Sequence, residues 1–159
     1  MSIQNSVKAV LEQVFADLDG PIAALALVTD TGIETLHTMV LSKAHLRHHS
    51  DDPDLPWMPV EWDMELDPTG FDQASDELGR AFGPGTPGDY GRRAQAACAE
   101  LVEALRTLRH RHPALREVYM TVVATDDGEL WTELEGQAVL SLNGPGVAKS
   151  WQEWRESWL

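Results

Sequence analysis

Histidines, carboxylates and one thiol supply the reactive side chains of this sequence, and spacing decides what each group can do. His45 and His49 stand four residues apart with His48 beside them, and Asp51, Asp52 and Asp54 follow. Two imidazoles at i and i+4 on a helix can hold a transition metal. The segment lacks a His-Glu-x-x-His pattern, and spacing indicates no further ligand, so it reads first as a solvated polar loop. A small metal-dependent hydrolase built on His45, His48 or His49 with nearby carboxylates is the alternative it leaves open. His110 and His112 flank the end of a long helical pattern, where cations are favoured, and read as structural.

The carboxylates of Asp63, Glu65 and Asp67 match the first half of an EF-hand loop. Pro68 then stands where the turn glycine belongs, and Ala74 where the bidentate Glu belongs, so no dedicated cation site follows. Acid–base catalysis by paired carboxylates needs one raised in pKa by burial, and these alternate onto a solvated face. Cys98 lies on an apolar helix face and reads as a buried, inert thiol. No nucleophile elbow, P-loop or dinucleotide fingerprint is present. "GPGTPG" carries two prolines that remove the amide donors a phosphate cradle needs. The sequence therefore assigns no catalytic residue, no metal site and no cofactor.

Charge points elsewhere. The net charge is −14 over 159 residues, and the block from His48 to Gly79 holds ten carboxylates with no Lys or Arg. Such a surface repels phosphate backbones and anionic lipid, which argues against nucleic-acid and membrane partners. It attracts a basic protein and speeds the encounter. Within the block lies "DLPWMPVEWDMELD", residues 54–67. Trp57, held between Pro56 and the Met58-Pro59 pair on a stiff segment, reads either as an interface anchor or as a ring folded over the sheet. Trp57, Glu61, Asp63, Glu65 and Asp67 are the candidate partner-binding residues. The opening "MSIQNSVKAV" lacks the layout of a signal peptide, and the apolar run "PIAALALV" is too short to cross a bilayer. With a single cysteine, cytoplasmic residence is the expectation.

Elements must position these groups. At 43% hydrophobic and 24% charged residues, the composition fits one globular domain, 1–159. Val7, Val10, Leu11, Val14, Phe15 and Leu18 predict a first helix ending near Gly20. "IAALALVT" and "IETLHTMVL" predict a hairpin around an Asp30–Gly32 turn. "SKAHLRHHS" allows one or two helical turns. Residues 61–67 alternate, with Trp62, Met64 and Leu66 inward and Glu61, Asp63, Glu65 and Asp67 outward, which predicts a strand. Thr69, three before Asp72, is a capping signal for a helix carrying Phe71, Ala74, Leu78 and Phe82. A long helix over 89–111 and a strand in "EVYMTVVAT" follow. Trp131, Leu134, Ala138 and Leu142 suggest a helix that Gly136 weakens, and "QAVLSL" leaves a strand open. Val147, Trp151, Trp154 and Trp158 predict a last amphipathic helix. If that helix is loosely attached, Trp151, Trp154 and Trp158 make a homodimer face, and a homo-oligomeric structural protein is the third reading. The order α-β-β-β-α-α-β-α-α predicts an α+β fold, a small mixed or antiparallel sheet of about four strands packed with helices.

The stretches "AALALVTDTGIETLH", "PWMPVEWDMEL", "FDQASDELGRAF" and "SLNGPGVAKSWQEW" together resemble a family of small bacterial proteins, domain-of-unknown-function family 4303. The anchors are the "VTD" strand end, the segment from Trp57 to Trp62, and Leu142-Asn143. The resemblance brings no catalytic residues with it. Small acidic proteins of this kind are often encoded beside bacterial toxins as their immunity partners, so it implies a non-catalytic role against a basic toxin.

Overall fold

A computed structural model describes residues 3–66, 68–125 and 128–159, apart from the side chains of Pro68 and Thr69. Asp67 and the Thr69 capping signal therefore lie outside what is described. The helices are α1 (Ile3–Asp17), α2 (Lys43–His48), α3 (Asp72–Phe82), α4 (Tyr90–Arg111), α5 (Glu129–Leu142) and α6 (Pro145–Glu156). The strands are β1 (Ile22–Thr29), β2 (Leu36–Ser42), β3 (Met64–Leu66) and β4 (Tyr119–Ala124). The α+β class and the element order match the sequence reading, with α2 as the short helical turn that "SKAHLRHHS" allowed.

The four strands form one mixed sheet in the order β3-β2-β1-β4. The hairpin β1–β2 is antiparallel, β2–β3 is antiparallel, and β1–β4 is parallel. β1 is buried along nearly its whole length, which is why its sequence shows no alternation. Its hairpin turn is organised by Asp30, whose Oδ1 accepts from the backbone N–H groups of Glu34 and Thr35, both at 2.8 Å. Burial opposes ionisation of Asp30, and these donors overcome it, holding the carboxyl below its usual range.

Each sheet face has its own core. Leu25, Leu27, Val40, Met120 and Val122 face α1, α3, α4 and the apolar stripe of α5. Ala24, Ala26, Val28, Leu41, Tyr119 and Val123 face Trp62, Leu55 and Trp151. The second face is thus covered by α6 and by residues 55–62 rather than by a layer of long helices. Cys98 is buried in the first core, and burial pushes its thiol up to about 12. That is the inert thiol expected from its helix face.

The strand expected over 61–67 is shorter than its alternation suggests. Leu55–Trp57 and Pro59–Glu61 form two 3-10 turns, and strand pairing covers only Met64–Leu66. Pro56 and Pro59 sit in the opening positions of these turns, where a missing N–H costs nothing, and they cannot donate to a ladder. The alternation survives as burial, since Trp62 is buried and Glu61, Asp63 and Glu65 are exposed. Trp62 and Met64 serve opposite faces of the sheet, however, because the chain turns between them.

The ambiguous tail is helical. Gly136 in α5 has a local reason: a Cβ there would lie 3.3 Å from the Trp151 ring, so its absence lets α6 approach closely. Trp151 is buried, which removes it from any self-association face, while Trp158 is 60% exposed. The outer edge of β4 is paired by a side chain. Asn143 Oδ1 accepts from Met120 N at 3.0 Å, and Nδ2 donates to Met120 O at 2.7 Å and to Val139 O at 2.9 Å.

An ion pair joins α1 to the end of α4. Glu12 Oε2 lies 2.5 Å from His112 Nε2, and Glu12 Oε1 accepts from Arg111 at 3.3 Å. The hydrogen bond to His112 holds the Glu12 carboxyl below its ordinary range against a smaller desolvation cost, with Arg111 adding to the effect. A depressed carboxyl stabilises the fold above its unfolded pKa, and that contribution disappears as pH falls through the folded one. Glu12→Gln is therefore expected to lose less thermal stability than the parent between about pH 6 and pH 3. Parallel acid limbs in the two melting-temperature profiles would rule this pair out as an acid-sensitive contact.

Candidate functional site

Of the candidate residues, Trp57 packs on the sheet face that α6 covers. Pro56 and Pro59 stiffen the segment that carries Trp57 across this face. Trp57 is half-buried, and its ring meets Tyr119 at 5.2 Å in an edge-on arrangement and Trp154 of α6 at 6.4 Å. Trp57 is thus folded over the sheet, and it also lines a cleft. Asp54 ties the two walls together, since Trp154 Nε1 donates to Asp54 Oδ1 at 2.8 Å.

The cleft has a volume of about 190 Å³ and runs between the 57–60 segment, the end of β4, α5 and α6. Trp57, Glu135, Trp154, Arg155 and Trp158 line it, with Val60 on the wall opposite α6. Val60 is 66% exposed, so an apolar surface continues outward from the cleft on both sides. Glu135 is 8% exposed. Burial raises the Tyr119 hydroxyl pKa above its ordinary value, and the Glu135 charge adds to that rise. Arg155 donates to Thr132 Oγ1 at 3.1 Å and lies 5.9 Å from the Trp154 ring centroid.

The carboxylates divide into two groups. Glu61 and Glu65 are exposed. Glu65 pairs in register with Met39, whose side chain packs into the core of the cleft's own sheet face. Residues opposite each other across antiparallel strands share a face, so Glu65 borders the same side as Trp57. Asp63 is exposed too, but it works inside the fold. Its Oδ1 accepts from Ser42 N at 2.9 Å and its Oδ2 from Ser42 Oγ at 2.7 Å. Ser42 Oγ in turn accepts from His45 N and caps α2. Desolvation works against ionised Asp63, and the Ser42 donors outweigh it, so its carboxyl sits below the usual range. Asp67 lies outside the described residues. The described ion pairs use Glu12, Asp89, Glu103 and Glu153. No described carboxylate from Asp51 to Glu77 is in one.

The histidines form a separate group. His45 and His49 stack with ring centroids 4.4 Å apart, and His48 lies 6.3 Å from His49. Among the described residues, no three or more His, Cys, Asp or Glu side chains are placed to hold a metal ion. No helix of the described residues is long and apolar enough to cross a membrane.

Glu135 and Val60 belong to this site and escape the sequence reading. A signal for Glu135 exists: it stands four residues after Trp131, on the stripe that packs α5 inward. Comparisons of the chain with family models, with curated proteins and with solved structures find no match.

Proposed function

We propose that this protein is a non-catalytic, acidic protein-binding module, in its most concrete form an immunity-type protein that neutralises a basic toxin by occlusion. The observation that carries this reading is a Trp-lined cleft with an exposed apolar rim, on a face that Glu65 borders, where the exposed Glu61 and Glu65 are in none of the described ion pairs. Interface cores favour aromatic anchors, and rims favour polar charge. The net charge of −14 supplies long-range attraction for a cationic surface. Carboxylates laid over a toxin's cationic groups would deny them to its substrate. The resemblance to small bacterial proteins associated with toxin immunity agrees with this role, and we infer membership in that family as part of the same proposal.

The test uses a basic protein partner, with the product of an adjacent gene as the first candidate. Glu61 and Glu65 are the residues to reverse, since reversing Asp63 would also break its bonds to Ser42. Glu61→Lys with Glu65→Lys is expected to slow association about ten-fold or more at low salt and to flatten its dependence on ionic strength. Association rates that ignore both the double reversal and added salt would remove this face from consideration.

A second reading has one observation behind it. The exposed Val60 and Trp158 would equally suit a second copy of this chain. In that case sedimentation would show a dimer that Trp158→Ala converts to monomer.

A further inference from the structure

We infer that the outer edge of β3 takes up an extended segment of the basic partner, bearing a lysine or arginine, as an added antiparallel strand. The inference rests on the proposed binding role and names how the partner engages the acidic face. At three other places where the sheet leaves backbone unpaired, a side chain closes it. Ser75 Oγ accepts from Leu36 N at 2.9 Å and donates to Leu36 O at 3.2 Å. Asp63 Oδ1 accepts from Ser42 N, and the Asn143 amide holds both backbone groups of Met120. β3 ends the sheet on the side away from β4. Among the described residues, the hydrogen bonds of Met64, Glu65 and Leu66 are those of the ladder to β2.

Register shows which groups are open. Leu36 and Ser42 turn their N–H groups away from β1, toward Ser75 and Asp63. Backbone direction alternates along a strand, so Thr38 and Val40 turn the same way and bond their β3 partners, Leu66 and Met64. Glu65 lies between those two, and its N–H and C=O therefore point out of the sheet. An antiparallel newcomer exchanges two hydrogen bonds with this residue, and its flanking side chains supply the rest of the contact. Met64 and Leu66 are half-buried against the core of the face opposite the cleft. Beside Leu66 a groove of about 290 Å³ opens along α1, lined by Val10 and Val14.

Charge chooses the occupant. Glu65 is exposed and in none of the described ion pairs. The residue opposite it in an added strand shares its face, where opposite charges stabilise the pair and like charges oppose it. A second copy of this chain fits badly. Two-fold pairing centred on Glu65 would set Glu65 against Glu65, and the net charge of −14 adds to the repulsion. A charged, three-residue edge is thus guarded against its own kind. A lysine or arginine opposite Glu65 reverses the sign of that contact, and apolar residues on either side of it meet Met64 and Leu66. The segment that fits reads apolar, basic, apolar.

Acetyl-Thr-Val-Lys-Val-Thr amide is the probe, with glutamate in place of its lysine as the control. Backbone amide resonances of labelled protein report the site. The lysine peptide is expected to shift the amides of Met64, Glu65 and Leu66 saturably at roughly millimolar concentration, and to slow exchange of the Glu65 amide proton. Methylating the backbone nitrogen of the peptide's lysine is expected to abolish binding, while methylating either valine nitrogen leaves it, because only the lysine N–H faces Glu65. Glu65→Lys, at an exposed position, is expected to reverse the preference, favouring the glutamate peptide at least about three-fold. Peptides of either charge that bind alike, a lysine peptide that moves none of these amides, or binding indifferent to which nitrogen is methylated overturns the inference. Protection of the Glu65 amide that rises with the concentration of the protein alone assigns the edge to a second copy and overturns it too. The two claims separate cleanly. A partner whose association slows on reversing Glu61 and Glu65, but in whose complex the Glu65 amide exchanges freely, keeps the docking face and sinks the added strand. Register-dependent peptide binding with no salt-dependent protein association does the reverse.

Discussion

Trp62→Ala is expected to lower the free energy of unfolding by about 3–5 kcal/mol. Trp62 is 5% exposed, and its ring lies 6.4 Å from Tyr119 in the core under α6. Its Nε1 donates to Leu55 O at 2.8 Å, a buried bond that closes the 55–62 segment on itself. Truncation leaves a ring-sized void, and the Leu55 carbonyl loses its shorter donor and keeps only Met58 N at 3.3 Å. The void cannot collapse easily, because Pro56 and Pro59 restrict the segment that would have to move. Urea unfolding followed by far-ultraviolet circular dichroism measures the loss. Trp62→Phe, which keeps most of the volume and loses the N–H, is expected to cost about 1–2 kcal/mol. A Trp62→Ala loss below about 1 kcal/mol would mean that the 3-10 segment is not part of the cooperative core.

Asn143→Ala is expected to cost about 2–4 kcal/mol, unusually much for a half-buried polar residue on a loop between two helices. Its amide supplies both partners to Met120 at the outer edge of β4, and its Nδ2 also donates to Val139 O in the last turn of α5. Removing it strips a donor and an acceptor from an edge strand that α5 keeps out of water. Asn143→Asp sharpens the argument. An ionised carboxylate would still accept from Met120 N but would face the carbonyls of Met120 and Val139. That arrangement raises the folded-state pKa of the new carboxyl above its unfolded value. The Asp variant should therefore gain stability relative to the parent as pH falls through the folded pKa, when a protonated oxygen can donate again. Melting temperatures of Asn143→Asp and the parent at about pH 7 and pH 4 test this. A gap between them that does not narrow on acidification would mean that the amide's donors are dispensable.

Much of the fold is legible in the sequence where one face alone is buried. Leu101, Leu105 and Leu108 in α4, and Val7, Leu11 and Val14 in α1, keep helical period because their other faces are wet. β1 is legible for the opposite reason, since an apolar run bounded by Pro21 and a turn has few other uses. α5 is harder to read. It buries Leu134 and Glu135 together, and Ala138 and Val139 together, so its stripe is too wide to tell from a buried strand. Residues 55–66 resist for another reason. Their alternation fixes which side chains are buried but not which sheet face receives them, and Trp62 and Met64 go to opposite ones. The cleft is the least legible feature. Trp57, Glu135 and Trp158 come from segments with no local relation, and Asp54 reaches Trp154 across most of the chain. The acidic border was readable as composition, but the separate employment of Asp63 by Ser42 was not.

The order of strands has a consequence during synthesis. β1 acquires β2 from the residues that immediately follow it, but its parallel neighbour waits until residues 119–124 have emerged. Until then the central apolar strand of the molecule shows an open hydrogen-bonding edge with greasy flanks on both sides. Late, distant pairings of this sort are slow and leave nascent chains prone to clumping. A ribosome stalled within α4 would hold a hairpin ready to join another like itself, a hazard that molecular chaperones exist to mask.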